Sequence, residues 1–591
     1  MTTILALVSN SAPDSVPGQR FWPWLVVVSG AFLVGLGLRL RQRRAGSAGT
    51  VDRWSRRSRR NSGVASSWAI LRHASALAMR RKGKVLRPGI RLLHWWQRLA
   101  VSPRTYATPL VRVGWLRVWS PCEDVTLRIG GPRTGKTGEL AGRILDAPGA
   151  VIATSTRTDL IELTGPCRKH FGPLYVFNPA GVGGRASTVS FNPLSGCADP
   201  RTATHRAADL LAAVTAPGRD GSDREFWAGQ ARRVLASLMH AAALGETGMR
   251  DVLAWVADPD AASADVRRFL RRSSEPAFDS DAAQFFTTND RTRSSICSTI
   301  MPALGWLTDS VAAAAAGANA ADPEGGFDVA RLLDERGTVY MLGAEDAQTA
   351  ALVCALTGHI ARQARTIAAL QRGGRLDPPL TLALDEAALI CPVPLDNWTA
   401  DMGGRGVTIH IAVQSRAQLR QRWGDTGAAA ILNNAATLLV YGGSRDPDDL
   451  AAYSILTGER DEEVANLDHA GNFSGLTFRR VPVLSPAQIA QLPERRVVII
   501  RRGMAPAVGK VQMAWKRHDV RRAHRQLRRA YHIERLTRLS RQVAQRSAEG
   551  AGQAVAWARP HIERTSHVLT PGQSAPRPVR PTGNEGSSDA A

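Results

Sequence analysis

The sequence predicts an α/β fold in which helices cover both faces of a parallel sheet. Beyond Trp119, short apolar runs rich in β-branched residues alternate with helical segments. Continuous apolar runs of this kind are typical of strands that are buried on both faces. The first predicted strand, Val125–Ile129, leads into a glycine-rich turn and then into a helix, Gly138–Leu145. Further strands are predicted at Ala150–Thr154, Leu174–Phe177, Thr338–Leu342, Leu380–Leu384, Val407–Val413, Thr437–Tyr441 and Val497–Arg501.

Residues 200–335 interrupt this pattern. They are rich in Ala, Leu and Arg and contain few strand-like runs, so we predict an inserted all-α domain. The sheet domain is then discontinuous, with halves at 119–199 and 336–516. The predicted helices of the insertion are Arg224–Leu244, Met249–Ala257, Ala261–Arg272 and Asp281–Leu307, and the alanine tract Ala312–Ala321 is interpreted as helix or linker.

The glycine-rich turn has the G-x4-G-K-[ST] pattern of a P-loop. In this pattern backbone N–H groups surround the phosphates of a nucleotide, the lysine reaches the β- and γ-phosphates, and the hydroxyl ligates Mg²⁺. Lysine is rare in this arginine-rich chain, so Lys136 indicates a need for a compact ammonium group. We therefore predict bound ATP with Mg²⁺, and Thr137 as a metal ligand. The predicted nucleotide-binding residues are Gly130, Gly131, Pro132, Arg133, Thr134, Gly135, Lys136, Thr137 and Gly138.

Two carboxylates end the later strand that contains Leu382–Leu384. Asp385 at the strand edge is predicted to hold Mg²⁺ through water, and Glu386 to polarise the attacking water as the general base. Gln414, after the strand Val407–Val413, is a candidate γ-phosphate sensor or water-positioning amide, with a helix-capping glutamine as the alternative. Arg405 is a candidate arginine finger acting on a neighbouring subunit, with an ordinary surface arginine as the alternative. The predicted catalytic set is Glu386, Lys136, Gln414 and Arg405.

Charge is unevenly distributed along the 591 residues. The formal net charge is +25, and basic runs flank the predicted sheet domain at Arg39–Arg117 and Lys516–Arg546. Such flanks indicate a polyanionic partner, either anionic lipid or nucleic acid. Six cysteines occur without C-x-x-C spacing, which argues against a zinc site or a disulfide framework. His410 lies in an apolar strand and is interpreted as a core or edge histidine.

The amino terminus predicts a membrane anchor. Phe21–Leu38 contains no charged residue and is about long enough to span a bilayer. The arginine cluster that follows it predicts a single pass in the cell membrane, with residues 1–20 outside and the bulk of the chain cytoplasmic. A buried helix is the alternative. We predict a basic juxtamembrane segment at 39–118, with amphipathic stretches at Val64–Met79 and Ile90–Leu99 on the inner surface. Residues 517–591 are predicted to be basic and then disordered.

Together these motifs resemble those of the type IV coupling proteins of the TraG/TraD class, which act in conjugation and type IV secretion. The resemblance extends from Asp124 to Arg502. It rests on the P-loop and on the runs Phe191-Asn192-Pro193-Leu194, Phe226-Trp227, Leu384-Asp385-Glu386-Ala387, Arg405-Gly406 and Val413-Gln414-Ser415.

The resemblance implies a RecA-like P-loop NTPase core, an all-α domain inserted between its two motifs, and an N-terminal transmembrane anchor. It further implies a homohexameric ATPase that recruits a DNA–relaxase substrate, works with type IV channel components and moves DNA. We expect the DNA to be bound independently of its base sequence, because no segment of the chain resembles a base-reading helix and arginine contacts to phosphate carry no sequence information. The chain departs from many relatives in having one apparent span and in reading Ser155-Thr156-Arg157-Thr158-Asp159 after the second strand. Two alternatives stay open: an ATPase that recruits or exports proteins, and an ATP-controlled membrane tether for DNA.

Overall fold

The computed structural model describes residues 63–214, 221–317, 327–344, 347–467 and 473–566. The chain divides into two compact units, a body that ends at Arg521 and a second unit that begins at Arg522. The strands are β1 Ala107–Val113, β2 Leu116–Pro121, β3 Thr126–Ile129, β4 Val151–Ser155, β5 Leu174–Phe177, β6 Thr338–Leu342, β7 Leu380–Leu384, β8 Val407–Val413, β9 Thr437–Tyr441, β10 Glu459–Leu467, β11 Phe473–Pro482, β12 Arg496–Arg501 and β13 Met504–Val511.

The α-helices of the described residues connect and cover these strands. They are α1 Ser67–His73, α2 Ala76–Leu86, α3 Trp95–Ala100, α4 Lys136–Asp146, α5 Asp159–Arg168, α6 Pro200–Val214, α7 Gly221–Leu244, α8 Met249–Ala257, α9 Pro259–Leu270, α10 Ala277–Thr287, α11 Asp290–Leu304, α12 Ser310–Ala315, α13 Val329–Asp334, α14 Ala347–Leu370, α15 Ala387–Ile390, α16 Leu395–Asp401, α17 Arg416–Asn434, α18 Pro447–Thr457, α19 Pro486–Ala490 and α20 His518–Ser566.

Eleven of the described strands form one mixed sheet in the order β2-β1-β13-β12-β9-β3-β8-β7-β4-β6-β5. The seven strands from β9 to β5 are mutually parallel. The strands β12, β13, β1 and β2 extend this sheet in antiparallel fashion. The remaining pair, β10 and β11, forms a separate antiparallel hairpin. The predicted parallel sheet is therefore confirmed for its central strands, and the prediction is wrong for Val497–Arg501, which lies in antiparallel β12.

The parallel strands are buried on both faces because they separate two hydrophobic cores. In β4, Ile152 belongs to the larger core, whereas its neighbours Val151 and Ala153 belong to the smaller one. The smaller core contains apolar residues of α4 and α5, and the larger core contains those of α6 and α14. Alternation of side chains along a strand sends successive residues to opposite faces, so both cores need apolar residues from the same short run.

The predicted juxtamembrane segment at 39–118 differs from the structure. Residues 39–62 of this segment lie outside the described residues. In the remaining part, β1 and the first half of β2 belong to the main sheet, and the two strands join through the tight turn at Gly114. Each of these strands contains one arginine, Arg112 in β1 and Arg117 in β2, which weakened the apolar pattern in the sequence. The stretch Val64–Met79 also packs into the body, with Ile70 and Met79 fully buried in the apolar faces of α1 and α2.

The predicted helical insertion corresponds to a run of helices, α6 to α12, between β5 and β6. The predicted helix Asp281–Leu307 is two helices, α10 and α11, because Thr288 and Asn289 leave the helical conformation and Asn289 caps the second helix. Helix α6 was not predicted, and it packs against both α7 and α14.

The predictions for the two ends of the chain have different outcomes. The predicted stub 1–20 and anchor Phe21–Leu38 lie outside the described residues, and no helix within those residues has the length and apolar character to cross a bilayer. At the other end, the segment predicted to be basic and then disordered forms helix α20 as far as Ser566. Residues 567–591 are outside the described ranges.

Candidate nucleotide-binding site

The P-loop connects β3 to α4 through a turn that uses left-handed backbone conformations. Arg133 has φ of 60° and Gly135 has φ of 98°, and α4 begins at Lys136 directly after Gly135. A Cβ atom at Gly130 would lie 2.5 Å from the Cβ of Tyr441, so only glycine fits against this neighbouring strand. The turn thus directs the free N–H groups of a helix amino terminus into one concavity, which is the arrangement that binds phosphate.

The ammonium group of Lys136 lies inside this loop. Its Nζ donates a hydrogen bond to the carbonyl oxygen of Gly130 and approaches the carbonyl oxygen of Gly131 at 3.3 Å. Glu386 Oε1 lies 3.9 Å away. Burial lowers the pKa of Lys136, and the carboxylates of Glu386 and Asp385 partly offset that effect. The positive charge is therefore held in the loop and is compensated by the second motif.

Asp385 follows β7 and meets the P-loop directly. Thr137 Oγ1 donates a hydrogen bond of 2.7 Å to Asp385 Oδ2, and Thr154 Oγ1 donates one of 3.0 Å to the backbone carbonyl of Asp385. The other carboxylate oxygen, Oδ1, is buried without a hydrogen-bond partner. Burial raises the pKa of Asp385 to about 6, and the hydrogen bond from Thr137 opposes that shift.

These features fit a magnesium site that contains Thr137 and Asp385. A buried carboxylate oxygen without a partner is costly in the protein alone, and a divalent cation with its water shell would satisfy it. A hydroxyl and a carboxylate are the oxygen ligands that Mg²⁺ takes alongside nucleotide phosphates. No cluster of three or more His, Cys, Asp or Glu side chains suited to a metal occurs in the described ranges.

Glu386 is adjacent to Asp385 in sequence but has different surroundings. Its backbone is left-handed, with φ of 48° and ψ of 44°, and its side chain is 18% exposed. Gln414 Nε2 donates a hydrogen bond of 3.2 Å to Glu386 Oε2. Because β8 lies between β3 and β7, the carboxyl ends of three adjacent strands bring the P-loop, Gln414 and the carboxylate pair together.

Gln414 is not the helix-capping glutamine of the alternative interpretation. The cap of α17 is Ser415, whose Oγ accepts from the backbone N–H of Gln418. The backbone N–H of Gln414 in turn donates to Gln418 Oε1 at 2.9 Å. These bonds hold the backbone of Gln414 while its side-chain amide is directed to Glu386.

Arg405 lies away from the P-loop and the carboxylate pair of its own chain. It ends a short 3₁₀ helix before β8, at the amino end of that strand, whereas Gln414 follows the carboxyl end. The seven residues of β8 separate them by about 20 Å at the usual rise of a strand. Its partner is Asp401, with Oδ1 at 4.0 Å from Nε. The structure therefore does not bring Arg405 into the site of its own chain.

A buried ionic cluster beneath the P-loop helix escaped the sequence analysis. Glu139 is fully buried between Arg128, whose Nε donates to its carboxylate, and Arg143, whose Nε lies 3.3 Å from Oε1. His410 faces the same region and is buried in β8, and burial together with Arg128 holds its pKa well below the usual range. Charged residues within apolar strand and helix patterns were the available signal, but they do not reveal a pairing partner.

Trp515 and Met513 were also missed. Both lie after β13. Met513 lies against Gly135 and Gly138, and Trp515 lies against Gly138. No sequence motif marks them, since they are distant from the P-loop along the chain and become neighbours only through the antiparallel extension of the sheet.

The family described as the TraM recognition site of TraD and TraG matches residues 379–494, which include β7, β8 and β9. The unbound bacterial conjugative coupling protein TrwBΔN70 has a similar structure, with a TM-score of 0.51 and 19% identity over 70% of this chain and 91% of that one.

Two structures of TrwB with bound nucleotides are similar to this chain to the same degree. The plasmid coupling protein TrwB in complex with ADP and Mg²⁺ matches with a TM-score of 0.51 and 19% identity over 69% of this chain and 90% of its own. The complex with the ATP analogue ADPNP matches with a TM-score of 0.51 and 19% identity over 70% of this chain and 92% of its own. No curated protein sequence matches significantly. The family match and the shared fold confirm that this chain is similar to the type IV coupling proteins of the TraG/TraD class.

Proposed function

We propose that this protein is a membrane-anchored ATPase that couples a DNA–relaxase substrate to a type IV secretion channel during conjugative transfer. The observation that carries the proposal is the hydrogen bond of 2.7 Å between Thr137 and Asp385. It joins two motifs that are 248 positions apart in the sequence. Both motifs belong to a site suited to a nucleoside triphosphate and Mg²⁺, and the second motif falls in the part of the chain that matches the TraD and TraG family.

Each side chain of the site has a distinct task in the proposed hydrolysis. Lys136 moves from the carbonyl oxygens of its own loop to the β- and γ-phosphates when nucleotide enters. Mg²⁺ held by Thr137 and Asp385 would neutralise charge that develops on the phosphates. Glu386 accepts a proton from the attacking water, and Gln414 orients both that water and the carboxylate of Glu386.

The adjacent carboxylates can differ in role because their environments differ. Asp385 is buried and hydrogen-bonded by Thr137, whereas Glu386 is turned by its left-handed backbone toward Lys136 and Gln414. A metal-holding carboxylate benefits from burial, while a base must reach water. We keep the proposal that Arg405 acts on the site of a neighbouring subunit in a hexamer, since its position excludes action on its own.

The proposed domain arrangement has three parts: an anchor, a motor body and helices that contact the cargo. A single-pass anchor at Phe21–Leu38 would hold the motor body, residues 63–521, on the cytoplasmic side. The helical insertion between β5 and β6 and the basic helix α20 would contact the cargo. Helix α20 suits phosphate, because residues 525–542 are all exposed and include six arginines and one acidic residue.

A second surface is suited to anionic lipid at the inner leaflet. Trp95, Trp96 and Leu99 in α3 are each more than half exposed, and Arg91 and Arg98 lie beside them. Indole rings favour the membrane interface, and each nearby arginine adds attraction to anionic headgroups. We therefore propose that α3 lies against the membrane next to the anchor.

The test is the ATPase rate of the full-length protein with and without DNA. We expect stimulation that does not depend on base sequence, because arginine contacts to phosphate carry no sequence information. The stimulation should fall steeply with salt, because each neutralised phosphate contributes close to one unit to the slope of log DNA affinity against log salt concentration. Truncation from Arg522 should flatten that slope and leave basal hydrolysis unchanged, whereas truncation from His567 serves as the matched control.

The truncation point follows from the structure. A cut at Lys516 would also remove Arg517, whose Nη1 pairs with Asp146 at 2.8 Å on the P-loop helix, and would disturb the body. An ATPase that is stimulated by anionic vesicles but is indifferent to DNA would exclude the DNA motor and favour the protein-cargo alternative.

A further inference from the structure

The segment that follows β13 lies across the amino-terminal end of the P-loop helix. A Cβ atom built on Gly138 would fall 2.2 Å from Cζ3 of the Trp515 indole and 3.0 Å from Met513 Sδ. A Cβ atom on Gly135 would fall 2.8 Å from Met513 Cε. Glycine at both positions therefore allows these two side chains to rest directly on the backbone of the phosphate loop.

Trp515 is held firmly at this position although its ring is not enclosed. The residues before it, Met513 and Ala514, are almost completely buried, whereas Trp515 is 45% exposed. On the other side, Arg517 pairs with Asp146 at 2.8 Å and donates to the carbonyl oxygen of Gly142 at 3.2 Å. An indole whose backbone is fixed on both sides and which is nearly half exposed can serve as a stacking platform.

The direction of a bound nucleotide can be read from the site. The γ-phosphate end is marked by Lys136, Glu386 and Gln414, which lie together beyond the carboxyl ends of β3, β7 and β8. The α-phosphate end lies toward the backbone N–H groups that follow Thr137 at the start of α4. The ribose and base must therefore continue outward past Gly138, which is where the indole of Trp515 lies.

We propose that Trp515 is the base-stacking residue of the nucleotide site. This inference rests on the proposed function, in which the P-loop holds a nucleoside triphosphate. Every base has a π-face, so stacking on an aromatic ring contributes affinity with little discrimination between bases. The substrate class is accordingly nucleoside triphosphates in general, with adenine and guanine nucleotides bound with similar affinity.

The experiment measures binding of three probes to the full-length protein in the presence of Mg²⁺, by calorimetry. The probes are a non-hydrolysable ATP analogue, the corresponding GTP analogue and inorganic tripolyphosphate, which has no base. Trp515→Ala should weaken binding of both nucleotide analogues about tenfold, as expected for the loss of one stacked ring. It should leave binding of tripolyphosphate unchanged. Trp515→Phe should retain most of the affinity for the analogues.

Two control variants accompany the measurement. Trp115→Ala removes an exposed indole from the β1–β2 turn, four strands away from β3 in the sheet, and should change none of the three affinities. Lys136→Ala should lose all three probes, since it removes the ammonium group that the phosphates need. Unchanged tripolyphosphate binding also shows that the Trp515→Ala protein has folded its phosphate loop.

Three results would overturn the proposal. Equal loss of tripolyphosphate and of the analogues in Trp515→Ala would mean that the indole only supports the loop. No change in any affinity would mean that the base does not reach Trp515. Failure of the unaltered protein to bind any of the three probes would refute the nucleotide site itself, and with it the proposed function.

Discussion

We expect replacement of Asp385 by asparagine to stabilise the nucleotide-free protein while removing the carboxylate proposed to hold Mg²⁺. Asp385 is 3% exposed, and its burial raises its pKa from 3.8 to about 6. The folded protein therefore retains a proton that the unfolded chain releases. Stability falls as the pH rises from about 4 to about 6 and remains low above that range, because the ionised carboxylate is then buried. The nucleotide-free protein thus carries an electrostatic penalty at neutral pH.

The size of this penalty follows from the pKa. Each pH unit between the two pKa values corresponds to about 1.4 kcal/mol, so the charged Asp385 costs about 3 kcal/mol at pH 8. Asparagine keeps an acceptor for the hydrogen bond from Thr137 and has no charge to bury. We expect Asp385→Asn to raise the Tm of the nucleotide-free protein at pH 8, and to raise it much less at pH 4.5.

The assay is a thermal melt of both proteins across this pH range, without and with Mg²⁺ and a non-hydrolysable ATP analogue. Ligand that binds only the folded state stabilises it by mass action, so added ligand should raise the Tm of the unaltered protein but not that of the variant. The reasoning is refuted if the variant melts at or below the unaltered protein at pH 8 without ligand. It is equally refuted if the difference in Tm does not change with pH.

Three further predictions concern catalysis, assembly and topology. Glu386→Gln should bind the ATP analogue normally and hydrolyse ATP about 10²- to 10⁴-fold more slowly, the usual contribution of a general base. A Glu386→Gln protein with normal turnover would remove Glu386 from that role. Gln414→Ala should lower kcat in steady-state assays with little effect on nucleotide binding. Arg405→Ala should bind nucleotide but hydrolyse it poorly, and mixing it with Lys136→Ala should restore some activity if the arginine acts across a subunit boundary; absence of rescue in intact rings would assign Arg405 to the surface. A reporter fused before Phe21 should be found outside the membrane and one fused after residue 38 inside, whereas a protein that fractionates without membrane would contradict the anchor.

The central strands were predictable because burial on both faces leaves a continuous apolar run. Leu380–Leu384 and Val407–Val413 have the predicted bounds. The antiparallel edge was not predictable in the same way, because β1 and β13 have exposed charged residues between buried ones, which weakens the apolar signal. Their pairing also joins segments that are hundreds of residues apart, and no local pattern specifies such a contact.

The site was predictable to the extent that it consists of motifs. Spacing and chemistry identified Lys136, Thr137, Asp385 and Glu386. In the structure Thr137 is hydrogen-bonded to Asp385, and Lys136 forms an ion pair with Glu386. Trp515 could not be found, because a lone tryptophan after a strand has no spacing rule. Its significance comes from its contact with Gly138 at the start of α4, and that contact exists only once the sheet has formed.

The P-loop helix is positioned by charges that the motifs do not include. Glu139 is 0% exposed and lies between Arg128 and Arg143, at the first turn of α4. Removal of one partner from a buried ionic cluster leaves the others uncompensated and costs about 3–5 kcal/mol. Glu139→Gln keeps the shape of the side chain but not its charge, so we expect it to lower the free energy of unfolding, measured by urea denaturation, by that amount.

The matched control is Glu162→Gln on α5, where the same change affects an exposed side chain and should alter stability by less than about 0.5 kcal/mol. The position of the P-loop depends on the same contacts, because α4 begins at Lys136 and has Glu139 on its buried side. Nucleotide affinity should therefore fall together with stability in Glu139→Gln, although Glu139 does not contact phosphate. If the variant unfolds at the same urea concentration as the unaltered protein, the cluster does not hold the helix, and the rigidity of the phosphate loop must come from its apolar contacts alone.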